Sequence, residues 1–160
     1  MAVDMFLKLD GIKGESVDSK HKDEIAVLAW SWGVSNSGSA HLGGGAGSGK
    51  VNVQDLSLTK YIDVASPDLA LFSCNGKHIA KGQLTVRKAG ENPLEYLIIK
   101  LEDILVASYS TGGSGGEDRL TENITLNFAK VDMEYTAQDQ KGAAGAKPKM
   151  GWDIPANVKR

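Results

Sequence analysis

Two long runs of alternating apolar and polar residues, at 96–109 and 121–135, dominate this sequence. Both runs are rich in β-branched and aromatic side chains, which are typical of strands. The segment between them, residues 111–118, contains four glycines and shows no periodicity, so it suits a flexible connection. Together the runs predict a long antiparallel hairpin.

The phase of the apolar residues changes once within each run, which predicts a bulge or a sharp bend. A register that places Leu97 opposite Tyr135 brings the two changes together and sets Lys100 against Asp132. A register shifted by two residues would instead set Lys100 against Lys130, and directly opposed like charges are destabilising. We therefore expect the first register. Two strands that change face together suit a sheet that curls.

The remaining strands are predicted at residues 3–9, 25–37, 51–58 and 77–88 from the same alternation. The strand at 25–37 has faces of different bulk. Its small face consists of Ala29, Ser31, Gly33 and Ser35, and its bulky face, predicted to lie in the core, consists of Leu28, Trp30, Trp32 and Val34.

One short helix is predicted from Pro67 to about Cys74, with Ser66 as its N-cap and Asn75-Gly76 as its end. Residues 137–149 form a Gly/Ala/Lys/Gln segment that we expect to be a flexible linker. The predicted fold class is mainly β: residues 1–160 form a single antiparallel β-barrel of two curled sheets with one short α-helix.

Composition argues against several kinds of partner. The 160 residues carry a net charge of −2 with both signs interspersed, so neither nucleic-acid binding nor binding to anionic lipid is expected. The sequence has no apolar run long enough to span a bilayer, which argues against membrane insertion. Asp4 and Lys8 interrupt what would be the apolar part of a Sec signal, and Cys74, the only cysteine, has no intrachain partner.

No catalytic, cofactor-binding or metal-binding residues are predicted. Gly44 to Lys50 fits the spacing of a phosphate-binding P-loop, but Val51 stands where Ser or Thr is needed and strand alternation follows instead of a helix. His21, His41 and His78 are too far apart in sequence for a zinc motif. Cys74 is expected to be a buried, inert thiol.

Five long blocks follow one another along the sequence. They are Met1-Ala-Val-Asp-Met-Phe6, Val27-Leu-Ala-Trp-Ser-Trp-Gly33, Gly49-Lys-Val-Asn-Val-Gln-Asp-Leu-Ser57, Thr59-Lys-Tyr-Ile-Asp63 and Ser110-Thr-Gly-Gly-Ser-Gly-Gly-Glu-Asp-Arg-Leu-Thr-Glu-Asn-Ile-Thr-Leu-Asn-Phe-Ala129. In this order they resemble the haemolysin-coregulated proteins (Hcp) of bacterial type VI secretion systems, nearly from end to end. The departures from the family are confined to residues 143–149 and the chain end.

The resemblance implies a structural protein rather than an enzyme. It would form homohexameric rings that stack into a tube, inside a sheath and beneath a spike protein, with effectors in the lumen. The chain would assemble in the cytoplasm and be secreted without a Sec signal.

On this view we expect the small face (Ala29, Ser31, Gly33, Ser35) to line the lumen. We expect the glycine-rich segment 38–49, and within it His41, Leu42, Gly43, Gly44 and Gly45, to mediate ring stacking. The alternative from the residues alone is a monomeric β-barrel that binds a small ligand or carbohydrate.

Overall fold

The computed structural model describes residues 2–37, 50–90, 92–139 and 141–160. Eleven strands and one helix follow one another along these residues. They are β1 (Val3–Leu9), β2 (Ile25–Ala26), β3 (Ala29–Ser31), β4 (Val34–Asn36), β5 (Val51–Val53), β6 (Leu56–Tyr61), α1 (Ser66–Asn75), β7 (Ile79–Lys88), β8 (Glu95–Thr111), β9 (Thr121–Tyr135), β10 (Lys149–Asp153) and β11 (Val158–Lys159).

The hairpin of β8 and β9 forms the centre of the fold, and its predicted register is confirmed. Leu97 lies opposite Tyr135, Lys100 opposite Asp132 and Ile104 opposite Phe128. The change of phase falls at Asp103, whose φ of 55° is in the left-handed region. A further shift of register between Val106 and Ser108 was not predicted.

The sheet is large, antiparallel and curled, with the order β11-β10-β9-β8-β7-β1-β2. The first half of β9 also pairs with β6, and β6 pairs with β3. A second, two-stranded sheet consists of β4 and β5. The buried side chains of β1, β6, β7, β8 and β9 meet on the concave side, where Leu7, Leu58, Leu84, Ile104 and Leu126 are among the residues that form one apolar core.

The prediction of a closed barrel is wrong, whereas a mainly β fold with one short helix is confirmed. The predicted strand at 25–37 is divided into β2, β3 and β4. Val27 donates its N–H to Met5 on β1, and the next residue, Leu28, donates to Thr59 on β6. The chain therefore changes partner within one residue, and among the described residues no ladder joins β2 to β6.

The division of this strand also corrects its predicted core face. Leu28 and Val34 are 41% and 51% exposed, while Trp30 and Trp32 are partly buried against the core. Ile25 and Val27 take the buried positions instead. Because each short strand twists toward a different partner, the alternation along 25–37 does not keep one side inward.

The helix α1 matches its prediction in position but not in its cap. Ala65 is the N-cap residue, and no side chain caps the helix. Ser66 instead uses its hydroxyl in a buried network described below. Gly76 ends the helix with a left-handed φ of 68°, and Leu69 packs into the core. Cys74 is exposed, so its predicted burial is wrong.

Residues 137–149, predicted to be a linker, contain backbone hydrogen bonds. Ala137 donates to Ala146 at 2.9 Å and Asp139 donates to Ala143 at 2.8 Å, so the chain turns back on itself before β10. The flexibility of this segment stays a prediction.

Candidate functional site

The small residues of the predicted lumen face lie on an outer surface of the described chain. Ala29, Ser31 and Ser35 are exposed, and Gly33 is partly buried. A Cβ at Gly33 would lie 3.1 Å from the side-chain oxygen of Gln54, so this position has little room for a larger residue. The surface on which these residues lie extends beyond their own strand onto neighbouring strands of the sheet.

The surface continues across three more strands, because residues directly opposite one another on paired strands point to the same side of a sheet. Ala29 pairs with Thr59, Thr59 with Asn123, and Asn123 with Ser110. A second row is formed in the same way by Ser31, Ser57, Thr125 and Ser108. We call these eight residues the neutral polar face.

None of the eight side chains on the neutral polar face is ionisable, and hydrogen bonds hold several of them in place. The hydroxyl of Thr59 donates to the side-chain oxygen of Asn123 at 2.8 Å, and the Ser108 and Thr125 hydroxyls lie within hydrogen-bond distance. The intervening residues, such as Leu58 and Ile124, point into the core. One side of this sheet is therefore apolar and packed, and the other is polar and uncharged.

Sequence reasoning found only the first strand of this face. A signal for the rest is nevertheless present, since Ser57 and Thr59 alternate with buried leucines, and Asn123 and Thr125 alternate with Ile124 and Leu126. The sequence does not show that β6 lies between β3 and β9, and this strand order is what joins these residues into one surface.

Beneath one edge of the neutral polar face lies a buried ionic network. Lys60 and Glu122 are an opposite pair on β6 and β9, both with fully buried side chains, and form an ion pair. Lys60 Nζ also donates to Asp63 Oδ1 at 2.8 Å and to the carbonyl of Tyr61 at 2.8 Å. This ammonium group therefore has a full set of acceptors.

The carboxylate of Glu122 is satisfied from several directions. Ser66 Oγ donates to its Oε1 at 2.6 Å, and the hydroxyl of Tyr109 donates to its Oε2. Burial acts to raise the pKa of Glu122, but the hydrogen bonds from Lys60, Ser66 and Tyr109 outweigh it, so the pKa lies below its usual value. Burial and the hydrogen bond to Glu122 raise the pKa of Tyr109. The network fixes the start of α1 to the sheet.

A second cluster holds the connection between β1 and β2 against the sheet. The guanidinium of Arg87 on β7 forms ion pairs with Asp18 in the connection and with Asp4 on β1. Hydrogen bonding to Arg87 keeps the pKa of Asp18 well below its usual range. His21 stacks on Phe6 with their rings 4.4 Å apart. The connection is thus an ordered part of the fold.

Of the three histidines weighed as metal ligands, His21 and His78 lie within the described residues. Across the ranges described, no group of three or more His, Cys, Asp or Glu side chains is arranged to hold a metal ion. Both ring nitrogens of His21 face carboxylates, those of Glu24 at 2.9 Å and Glu95 at 2.6 Å. His41, Leu42, Gly43, Gly44 and Gly45 lie outside the described residues, as does most of the P-loop-like segment.

Comparison with known proteins gives the family. A family model described as "Type VI secretion system effector, Hcp" matches residues 6–135. The chain is 61% identical over 160 residues to protein Hcp1 of Pseudomonas aeruginosa, covering 99% of each. The chain belongs to the Hcp family of type VI secretion proteins.

Solved structures agree with this assignment. Hcp1 from Salmonella typhimurium is 43% identical, with a TM-score of 0.84 and complete coverage of both chains. A structure described as that of a type six secretion system protein is 36% identical, with a TM-score of 0.93, covering 99% of this chain and all of the other.

The family makes this chain a secreted structural component and not an enzyme, and proteins of the family form oligomeric rings and tubes. Among the residues described, no helix is both long and apolar enough to cross a bilayer.

Proposed function

We propose that this chain assembles into homohexameric rings that stack into a secretion tube, with the neutral polar face turned toward the lumen. The observation that carries the proposal is the breadth and neutrality of this face, which spans four strands without an ionisable group. A wall of short hydroxyl and amide side chains has no charge of one sign and no large apolar patch. Such a wall would hold many different proteins weakly and release them.

By resemblance, the tube assembles in the cytoplasm, inside a sheath and beneath a spike protein, and is secreted with effectors in its lumen. The segment 38–49 is proposed to make the contact between stacked rings. Its sequence supports this role, since it has six glycines and Leu42 as its only large apolar residue. Ordering a segment of this kind would cost about 1–2 kcal/mol per residue, so stacking would rely on repetition around the ring.

The proposal is tested first by the mass of the assembled protein. Six copies of the 17.0 kDa chain would form a particle of about 102 kDa. Analytical ultracentrifugation should give this mass, and negative-stain images should show rings with a central opening. The alternative, a monomeric module that binds a ligand or carbohydrate, predicts a mass of 17.0 kDa at all protein concentrations.

The orientation of the neutral polar face is tested by Ser31→Gln. Ser31 is exposed in the single chain, so the change should alter stability by less than about 0.5 kcal/mol. If the face lines the lumen, six longer side chains narrow it, and the proteins that co-purify with the rings should decrease. Ser114→Gln, in the exposed connection after β8, is the matched control and should change nothing. Equal amounts of bound protein in both variants would contradict the orientation.

A further inference from the structure

Two open grooves lie toward opposite ends of the sheet and carry opposite charge. The first, which we call the acidic groove, measures about 490 Å³ and lies between β1, the β1–β2 connection and the end of β6. Four carboxylates line it against one guanidinium, giving a net charge of −3. These residues are Asp4, Glu15, Asp18, Asp63 and Arg119. If Arg87 and Lys60, which form ion pairs with three of the carboxylates, are counted as well, the net charge is still −1.

The acidic groove also exposes apolar surface on a fixed scaffold. Val17 is 94% exposed, and Leu28, which also lines the groove, is 41% exposed. Backbone hydrogen bonds hold the connection on both sides of Val17: Gly14 donates to Asp23 at 2.8 Å and Ser16 donates to Glu24 at 3.0 Å. An apolar side chain that is ordered, fully exposed and next to further apolar surface is typical of an interaction site.

The second groove, which we call the basic groove, measures about 290 Å³ and lies where β8, β9, β10 and the chain end meet. Its lining includes four basic residues and two acidic ones, giving a net charge of +2. They are Lys100, Lys149, Lys159, Arg160, Asp132 and Glu134. Counting Glu102, the ion-pair partner of Arg160, leaves a net charge of +1. Its apolar lining includes Met150, which is 41% exposed.

We infer that the acidic groove of one subunit receives the β10–β11 end of the next subunit around the ring. The inference rests on the ring assembly proposed above, and it identifies which two surfaces meet. A closed ring of more than two identical subunits needs two different, complementary patches on each chain. The two grooves are complementary in charge and each exposes apolar side chains. β11 lies at the end of the sheet, so a neighbour there would also cover an edge strand.

The two grooves can be tested by reversing the charges of exposed residues. Lys149 is 70% exposed, and Lys159 is exposed on the edge strand. The double variant Lys149→Glu/Lys159→Glu would place like charges at the contact. The protein concentration at which half of the chains are assembled should rise at least about tenfold in dilute salt. The difference should shrink near 1 M salt, where the screening length is about 3 Å.

The opposite reversal tests complementarity directly. Glu15→Lys at the rim of the acidic groove should weaken assembly by itself, and combining it with Lys149→Glu/Lys159→Glu in one chain should recover most of the loss. Val17→Asp should also weaken assembly, because it places a charge on the exposed apolar surface. Lys77→Glu, on the turn after α1, is the matched control and should assemble like the parent. Far-UV circular dichroism and the urea midpoint verify that each variant is folded.

Native mass spectrometry distinguishes the outcomes. If the parent forms rings and the variants assemble at the same protein concentration as the parent, the assignment of the two grooves is wrong. The proposed ring itself is not affected by that result. If the variants form rings normally but do not form tubes, or lose only the bound proteins, the grooves take part in another contact. Either result would also overturn the assignment of the two grooves to the contact between neighbouring subunits. A parent chain that is monomeric throughout would overturn the ring itself, and the inference with it.

Discussion

Replacing Lys60 with methionine tests the buried ionic network, because methionine keeps an unbranched side chain only one atom shorter and removes the charge. Both members of the Lys60–Glu122 pair are fully buried, so the change leaves a carboxylate in the interior without its cation. Breaking a buried pair in this way typically costs about 3–5 kcal/mol. Since a domain of this kind is stable by about 5–15 kcal/mol, we expect a loss of about a fifth or more of the total.

Removing both charges should cost much less than removing one. In Lys60→Met/Glu122→Leu the buried pair is removed as a unit, and such an exchange for apolar residues is often neutral or stabilising. The carboxylate of Asp63 loses its ion pair with Lys60 in both variants, but it keeps the hydrogen bond from the Ala65 N–H. Ser66 and Tyr109 then lose their shared acceptor, at about 1 kcal/mol each. The double variant should therefore lie closer to the parent than Lys60→Met does, because only Lys60→Met also leaves the buried carboxylate of Glu122 without its cation.

The same network predicts how stability depends on pH. The folded-state pKa of Glu122 lies below its ordinary value of 4.5, so its contribution is fully present above that value. The contribution is lost as the pH falls from there through the folded pKa. The parent should lose stability between neutral pH and the acid range, and Lys60→Met/Glu122→Leu should lose less over the same interval.

Urea unfolding followed by tryptophan fluorescence measures these differences. The protein concentration must lie below that of assembly, so that ring contacts do not add to the free energy of unfolding. Lys147→Met, which removes an exposed lysine, is the control and should change stability by less than about 0.5 kcal/mol. A loss below about 1 kcal/mol for Lys60→Met would refute the argument, because the pair would then be worth no more than one on the surface.

Two further changes test other parts of the molecule. Gly14→Ala should destabilise the chain by about 1–3 kcal/mol, because the added Cβ would lie 2.4 Å from the backbone oxygen of Glu24; Gly112→Ala, which meets nothing within 4 Å, should be neutral in the same urea assay. Leu42→Asp should leave rings intact and reduce their stacking into tubes, because it places a charge at a contact expected to be dry. Electron microscopy that shows the variant stacking like the parent would exclude the role of residues 38–49.

The central hairpin could be predicted in detail because its own side chains determine its register. The opposed charges of Lys100 and Asp132 select one pairing, and the two changes of phase coincide only in that pairing. The register can therefore be predicted from the periodicity and the charges of the 40 residues from 96 to 135 alone. The later shift near Ser108 could not be predicted, because nothing in the local alternation requires it.

The division of residues 25–37 could not be predicted, because it depends on two strands that are distant in sequence. Val27 bonds to β1 and Leu28 to β6, so the break reflects where those strands lie and not any property of the segment itself. For the same reason the exposure of Leu28 and Val34 was missed. The buried pair, by contrast, leaves a signal: Lys60 is in phase with Leu56 and Leu58, which marks it as inward-facing.

Charged side chains are distributed differently in three parts of the fold: the interior, the neutral polar face and the two ends of the sheet. Inside the chain, Lys60 and Glu122 are charged but fully paired, so they fix the helix to the sheet without affecting the outside. On the neutral polar face ionisable groups are absent, which is compatible with the lumen role proposed for it. At the ends of the sheet charges are concentrated, with opposite sign at each end. Electrostatic complementarity mainly determines which surfaces meet. Opposite charges at the two ends of the sheet therefore favour contact between the acidic groove of one copy and the basic groove of the next, and disfavour contact between two acidic or two basic grooves.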